Sequence, residues 1–282
     1  MSPPQIRTMR REELDLALDW AAEEGWNPGL ADAGCFHAAD PGGFLVAERD
    51  GERLGCVSAV HHGAGFGFLG FYIVRPPFRG QGIGLALWRA AMARLAGRVV
   101  GLDGVVAQQE NYRRSGFALV HRNIRYGAEA PAAPGRAGLP AVVAASDVPF
   151  AAIAACDRAV FPAEREAFLR AWLAAPGHVA RAVPGADGLR GFAVLRPCRS
   201  GSKIGPLVAA DPAAARALLA ALLDAAPAGP VFLDLPEPNP DALAMAREAG
   251  MQPVFETARM YAGGVPDLPL ARIYGITSFE LG

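Results

Sequence analysis

The chain has 282 residues, 52% of them hydrophobic and 20% charged, and carries a net charge of −1 at pH 7. That length accommodates two ordinary domains, and the composition is that of a folded protein rather than a disordered one. A nearly neutral chain has no electrostatic pull toward nucleic acid or an anionic membrane; with no signal-like apolar start and no run of spanning length, a cytoplasmic protein with neither partner is expected.

Thr8 stands as a cap before a helix predicted over Met9 to Glu24 and ended by Gly25. Leu14, Ala17, Leu18 and Ala21 form one apolar face of it and Leu16 with Trp20 another, so it is expected to touch neighbours on two sides. From Gly25 to Gly42 no periodicity is legible; this reads as a loop, with Trp26 either a packing anchor or a contact for a substrate. Phe44 to Arg49 and Leu54 to His62 alternate as strands joined at Asp50-Gly51, a hairpin signal. A third apolar run, Phe66 to Val74, follows. After a glycine-rich stretch come a helix from Leu85, a strand over Val99 to Val106, a polar segment Gln108 to Phe117 and a strand over Ala118 to Tyr126 that is expected to close the first domain.

Residues 128–140, rich in proline, glycine and alanine, read as a linker. The second half repeats the plan: two helices, a hairpin over His178 to Val183 and Leu189 to Pro197, a strand over Ile204 to Ala209, and a helix with Asp211 at its N-cap and Pro212 at N1. Val231 to Leu235 is a strand, Asn239 caps a further helix ended by Gly250, and Ile273 to Leu281 reads as a last strand of unassigned pairing. Cys35, Cys56, Cys156 and Cys198 are far apart, with no spacing suited to zinc, so free buried thiols and no metal are expected.

The stretch Arg75-Pro76-Pro77-Phe78-Arg79-Gly80-Gln81-Gly82-Ile83-Gly84 links a strand to a helix. Three glycines let the backbone bend tightly and aim successive N–H groups at an anion on the positive helix end, so a phosphate-bearing ligand is expected. The dinucleotide fingerprint fails because the third glycine comes one residue early, and no Gly-Lys-Ser/Thr of a phosphate loop follows. The stretch resembles the pyrophosphate loop of GNAT-superfamily N-acetyltransferases, Arg/Gln-x-x-Gly-x-Gly/Ala, at Arg79, Gly82 and Gly84. The second half is similar in plan, but Ala209 to Ala215 stands where the glycines should be, and Ala246 where the family's tyrosine belongs.

The resemblance implies an α/β fold of the α+β type: two GNAT-like domains, each a mixed, mostly antiparallel sheet flanked by helices. Residues 1–127 would be catalytic and residues 141–282 a divergent copy without a cofactor loop. It implies acetyl-coenzyme A as donor, no metal, and a small-molecule amine as acceptor. The expected cofactor contacts are Ile73, Val74, Arg75, Arg79, Gly80, Gln81, Gly82, Ile83, Gly84 and Asn111, with Trp26 and Tyr72 on the acceptor side. Tyr112, four residues before Gly116, occupies the family's position for the tyrosine beside the sulfur; the alternative is a tyrosine packed on the sheet. The base stays open among His61, His62, Glu110 and a water with no dedicated residue. A non-catalytic acyl-coenzyme A sensor is the rival reading.

Overall fold

A computed structural model of the chain describes residues 3–282. In chain order the first half holds β1 (Gln5–Thr8), α1 (Leu14–Glu23), α2 (Asp32–Ala39), β2 (Phe44–Arg49), β3 (Glu52–His62), β4 (Phe66–Val74), α3 (Ile83–Arg94), β5 (Val99–Val105), α4 (Gln109–Arg114) and β6 (Ala118–Ala128). The second half holds β7 (Val143–Ala144), α5 (Phe150–Arg158), α6 (Glu166–Ala174), β8 (Val179–Gly185), β9 (Gly188–Pro197), β10 (Ser202–Ala209), α7 (Pro212–Leu223), β11 (Val231–Pro236), α8 (Pro240–Glu248), β12 (Gln252–Ala262) and β13 (Ile273–Gly275).

All strands join one sheet in the order β1-β2-β3-β4-β5-β12-β6-β11-β10-β9-β8-β7, with β13 on β10. Most neighbours are antiparallel; β4 with β5 and β10 with β11 are parallel. The strand order corrects one expectation: β6 does not close the first half. β12, from the far end of the chain, pairs with β5, while β6 pairs with β12 and β11. The exchanged strands fill each other's cores. Ala258 and Met260 of β12 pack with Leu87, Leu102 and Tyr112, and Tyr126 of β6 packs with Leu233 and Leu235. Alternation in a sequence fixes which face a strand buries, not which partner it finds, so the two assignments look alike from the residues alone.

Three local expectations also shift. Thr8 ends β1, and a 3-10 turn over Arg11–Glu13 precedes α1, held by Glu13 accepting from the Arg10 N–H. The loop after Gly25 contains α2, whose buried Asp32 accepts from the Gly29 N–H at 2.8 Å and ion-pairs with Arg196 at 3.2 Å. The C-terminal strand shrinks to β13, because Ser278 Oγ accepts from the Leu281 N–H and the Gly282 N–H reaches Ser278, turning the chain back on itself. Every residue from Ile273 to Gly282 is buried nonetheless.

A cluster between the halves joins α1, α2 and β4 to α6, with Phe36 stacked on Trp172 at 6.2 Å and Leu281 among them. The four cysteines are free and buried. Among the described residues no helix is long and apolar enough to cross a membrane.

Candidate active site

β4 runs parallel to β5 only from Phe66 to Leu69; beyond that the two strands part. The parting coincides with a bulge, since Gly70 faces Ser58 and Ile73 faces Cys56, leaving Phe71 and Tyr72 opposite Val57 alone. Phe71 has φ 45°, a conformation that costs an ordinary residue about 1–2 kcal/mol and here bends β4 away from β5. Backbone groups of β4 past Leu69 therefore have no ladder partner on the β5 side.

The strand leads through Pro76 and Arg79 into the glycine stretch. Gly80 (φ 77°) and Gly82 (φ 79°) sit in the left-handed region, and Gly82 is the N-cap of α3 without any side-chain cap. The first N–H groups of this 12-residue helix are thus left for an outside acceptor. They border an open trough of about 490 Å³ walled by Ile73, Val74, Arg79, Gly80, Gly82 and Gly84. A smaller cavity of about 70 Å³ lies inside the fork of β4 and β5. Trp26, Tyr72, Val105 and Gln108 line both, so trough and cavity are one continuous passage.

Of the residues singled out by sequence, Trp26, Tyr72, Ile73, Val74, Arg79, Gly80, Gly82 and Gly84 border this passage, and Tyr112 lines its inner cavity. Tyr112 is buried on α4, stacked on Trp88 at 5.5 Å; burial, with a lesser push from Tyr72, raises its pKa above the ordinary value of 10. The Tyr72 hydroxyl stands where a Cβ on residue 84 would come within 2.8 Å, so a side chain there would displace it. Arg79 donates to the Val74 carbonyl at 2.8 Å and ion-pairs with Glu24 at the trough wall.

Other expected contacts lie elsewhere. The Ile83 side chain is buried in the core beneath α3. Gln81 is exposed and donates to the Pro77 carbonyl, Asn111 donates to Gln108, and Arg75 reaches the Arg53 carbonyl with its guanidinium over Trp20 and Phe78. None of these four side chains borders the passage. The three candidate bases are also placed away from it. His61 is opposite Gly67, bound to the Arg94 carbonyl at 3.0 Å; strand alternation and the Asp40–Arg94 pair hold it at the closed end of β4. His62 is packed between Phe66 and Phe161, where burial lowers its pKa to about 3. Glu110 is solvent-exposed and 3.6 Å from both Arg113 and Arg114.

What the sequence did not reveal comes from the second half. Phe255 and Thr257 of β12, with Phe279 and Glu280 of the C-terminal tail, form the wall of the cavity that faces away from α3 and α4. Arg125 lies over Phe255 at 5.7 Å and Phe279 at 4.8 Å and is itself locked by Asp234 at 2.6 and 2.8 Å. Asp103, also in the lining, is neutralised by Arg259 at 2.7 Å. Glu280 is 2% exposed with Oε1 unpartnered, and burial raises its pKa. A lone carboxylate in an unpaired strand's neighbourhood could have been suspected from the tail, but nothing in its spacing ties it to residue 70.

Known sequences and structures resemble this chain in both halves. The acetyltransferase (GNAT) family pattern matches residues 9–118, and a second pattern, an acetyltransferase (GNAT) domain, matches residues 153–275. The chain is 30% identical over 276 residues to the holothin acyltransferase of Pseudoalteromonas sp. (strain SANK 73390), covering 96% of this chain and 92% of that protein. A mycothiol acetyltransferase of Cellulomonas flavigena is 39% identical over 119 residues, 36% of this chain and 32% of its own. Among solved structures, a Pyrococcus horikoshii protein assigned to the acetyltransferases superposes with TM-score 0.85 at 21% identity over 100% of this chain and 97% of its own. A tandem GNAT protein from the clavulanic acid biosynthesis pathway gives 0.62 at 17% identity over 94% and 100%.

Proposed function

Because the chain belongs to the GNAT acetyltransferase family, we propose that its first half binds acetyl-coenzyme A along the trough and passes the acetyl group to a small primary amine held in the fork cavity. The observation that carries this reading is the continuity of the two spaces. A helix end with free N–H groups opens onto a narrow chamber beneath a strand bulge, which is the arrangement a diphosphate on a flexible arm with a terminal thioester requires.

In this reading the amides around Gly80 to Gly84 and the Arg79 guanidinium hold the pyrophosphate, Arg79 leaving Glu24 to do so. The backbone of β4 around Tyr72 to Val74, without a strand on its β5 side, takes the pantetheine arm and polarises the thioester carbonyl. Tyr112 approaches the sulfur. A free phenol with pKa about 10 giving its proton to a thiolate of about 8.5 goes uphill by roughly 2 kcal/mol, and burial of Tyr112 enlarges that gap. The phenol therefore serves by hydrogen-bonding the departing sulfur while the proton shed by the attacking nitrogen completes the thiol.

The test is release of free thiol from acetyl-coenzyme A mixed with a panel of primary amines, among them benzylamine, 2-phenylethylamine, lysine and glucosamine. Amine-dependent release is expected. Tight binding of acetyl-coenzyme A with no release for any amine would favour a sensor instead. Tyr112→Phe should lower kcat about 10- to 100-fold with the coenzyme's Kd unchanged; equal turnover would remove Tyr112 from the chemistry.

A further inference from the structure

The cavity under the β4 bulge has two unlike walls. On one side stands Tyr112, which the reading above assigns to the sulfur. On the other, contributed wholly by the second half, are Phe255, Phe279 and the buried Glu280, with Trp26 also in the lining. The tail is pressed against the bulge itself: a Cβ on residue 70 would come within 2.2 Å of the Glu280 carbonyl oxygen, so only glycine lets the chain pass there. Gly70 immediately precedes Phe71, the bulged residue. Glu280 is thereby fixed beside the place where β4 offers its free backbone groups.

Glu280 Oε1 accepts no hydrogen bond, and Glu280 forms no ion pair among the described residues. Charges face it from Lys203 on β10, Asp32 on α2, Arg196 on β9 and Arg125 on β6. Of these, Arg125 is held by Asp234 at 2.6 Å and Lys203 by the Asn27 carbonyl at 3.0 Å with Asp234 at 4.0 Å, while Arg196 stands 3.2 Å from Asp32 with its Nε and Nη2 lacking a hydrogen-bond partner. Across the cavity Asp103 is taken by Arg259. A buried, unpaired carboxylate is costly unless something arrives to pair with it, and a cavity lined by aromatic rings offers room for a cation.

We propose that Glu280 receives the ammonium group of the acceptor and takes its proton, so that the base missing from the first half is supplied by the C-terminal tail of the second. This rests on the acetyl-transfer reading and names a residue for it. An N–H bond of the ammonium breaks and the carboxyl O–H forms. The freed lone pair attacks the thioester carbon, the C–N bond forms and the C–S bond breaks. The second nitrogen proton goes to the leaving sulfur, which the Tyr112 hydroxyl hydrogen-bonds, and Glu280 returns its proton to solvent, so each turnover releases one proton. The acceptor this wall fits is a small primary amine carrying an apolar or aromatic body against Trp26, Phe255 and Phe279.

The probe is benzylamine, a ring with one primary ammonium. Glu280→Gln should lower kcat for benzylamine about 100-fold at pH 7, leave the acetyl-coenzyme A Kd within about twofold, and recover most of the rate near pH 9.5, where solvent has already deprotonated the amine. A uniform loss at every pH, or none, would overturn the proton-accepting role; a structural counter-ion predicts the first and a bystander the second. Should the Gln variant fail to fold, Glu280→Ala assayed with added formate decides: rate returning with formate supports the role, and a folded variant unmoved by formate refutes it. If wild type acetylates lysine or glucosamine but not benzylamine, the aromatic part of the acceptor is wrong and the same pH comparison is read with that amine. If no amine releases thiol from wild type, it is the acetyl-transfer reading that has failed.

Discussion

The two halves carry the same fork and use it in opposite ways. In the first, β4 and β5 part after Leu69 and leave a cavity. In the second, β10 and β11 are paired only from Ser202 to Ile204, and the gap beyond is filled by β13, which pairs with β10 at Leu207 and Val208 while the Ile276 N–H reaches the Asp234 carbonyl at 2.8 Å. The helix ends differ in the same sense. α3 begins at Gly82 with its amides free; α7 begins at Asp211, whose own carboxylate accepts from the Ala214 N–H at 2.9 Å and pairs with Arg190 at 2.8 Å. The second half holds an internal anion and an internal strand where the first is left open. The same tail that plugs one fork runs on to line the other with Phe279 and Glu280.

If each half depends on the other's exchanged strand, separating them should be drastic. Residues 1–128 alone lack β12, leaving Leu102 and Tyr112 without Ala258 and Met260 and β6 without β11. No cooperative thermal transition is expected by circular dichroism. The two pieces produced together, with the break in the linker at Gly135, should associate and melt as one unit. A first half that folds and melts cooperatively by itself would show the exchange to be dispensable.

The next test transfers the second half's device to the first. Gly82→Glu puts a carboxylate at the start of α3, at a φ of 79° that costs a non-glycine residue roughly 1 kcal/mol. Its charge would occupy the free amides as Asp211 does in α7. Acetyl-coenzyme A affinity by calorimetry should fall about 100-fold or more, and wild type should titrate as one site per chain. Two sites, or an unmoved affinity, would break the contrast between open and closed forks.

This contrast was partly legible in the residues. Gly80, Gly82 and Gly84 and, opposite them, Asp211 with Pro212 are local signals: backbone freedom and capping are decided within a few positions, so sequence reveals them. Ala246, buried in α8 where the first half has Tyr112 on α4, is legible for the same reason. The exchange of β6 and β12 was not, since both are alternating strands that fit either sheet edge, and the choice rests on pairings such as Tyr261 with Gly101 far apart in the chain. Ile83 and Asn111 were drawn in by adjacency to the motifs, yet a helix turns successive side chains to different faces, and Arg75 is drawn off by the Arg53 carbonyl and the Trp20 ring. Glu280 was invisible because its place in the cavity lining depends on a tail passing a glycine over 200 positions earlier.

A smaller effect follows from that passage. In Gly70→Ala the new methyl meets backbone, the Glu280 carbonyl, rather than a movable side-chain tip. The tail must shift by some tenths of an ångström to more than one, which in a reacting site lowers kcat about 10-fold. Acetyl-coenzyme A affinity should stay as it is, because the glycine end of the trough, Arg79 to Gly84, lies well beyond the bulge. Loss of affinity together with kcat would place the tail in coenzyme binding instead.

The smallest expected effect concerns stability and separates a waiting base from a counter-ion. Burial raises the Glu280 pKa above the ordinary 4.5, so between 4.5 and the raised value the folded chain binds more protons than the unfolded one. Stability must then fall as pH rises through that window and level off above it. Each unit of elevation corresponds to about 1.4 kcal/mol. Glu280→Gln removes only this contribution, so its urea midpoint should match wild type near pH 4 and exceed it increasingly toward pH 8. Were the carboxylate held in place as the partner of Lys203, its folded pKa would be depressed and the sign would reverse: the Gln variant would lose ground as pH rose. The direction in which the two midpoints diverge therefore reports whether the tail's carboxyl is unpaired in the resting protein, independently of any acceptor.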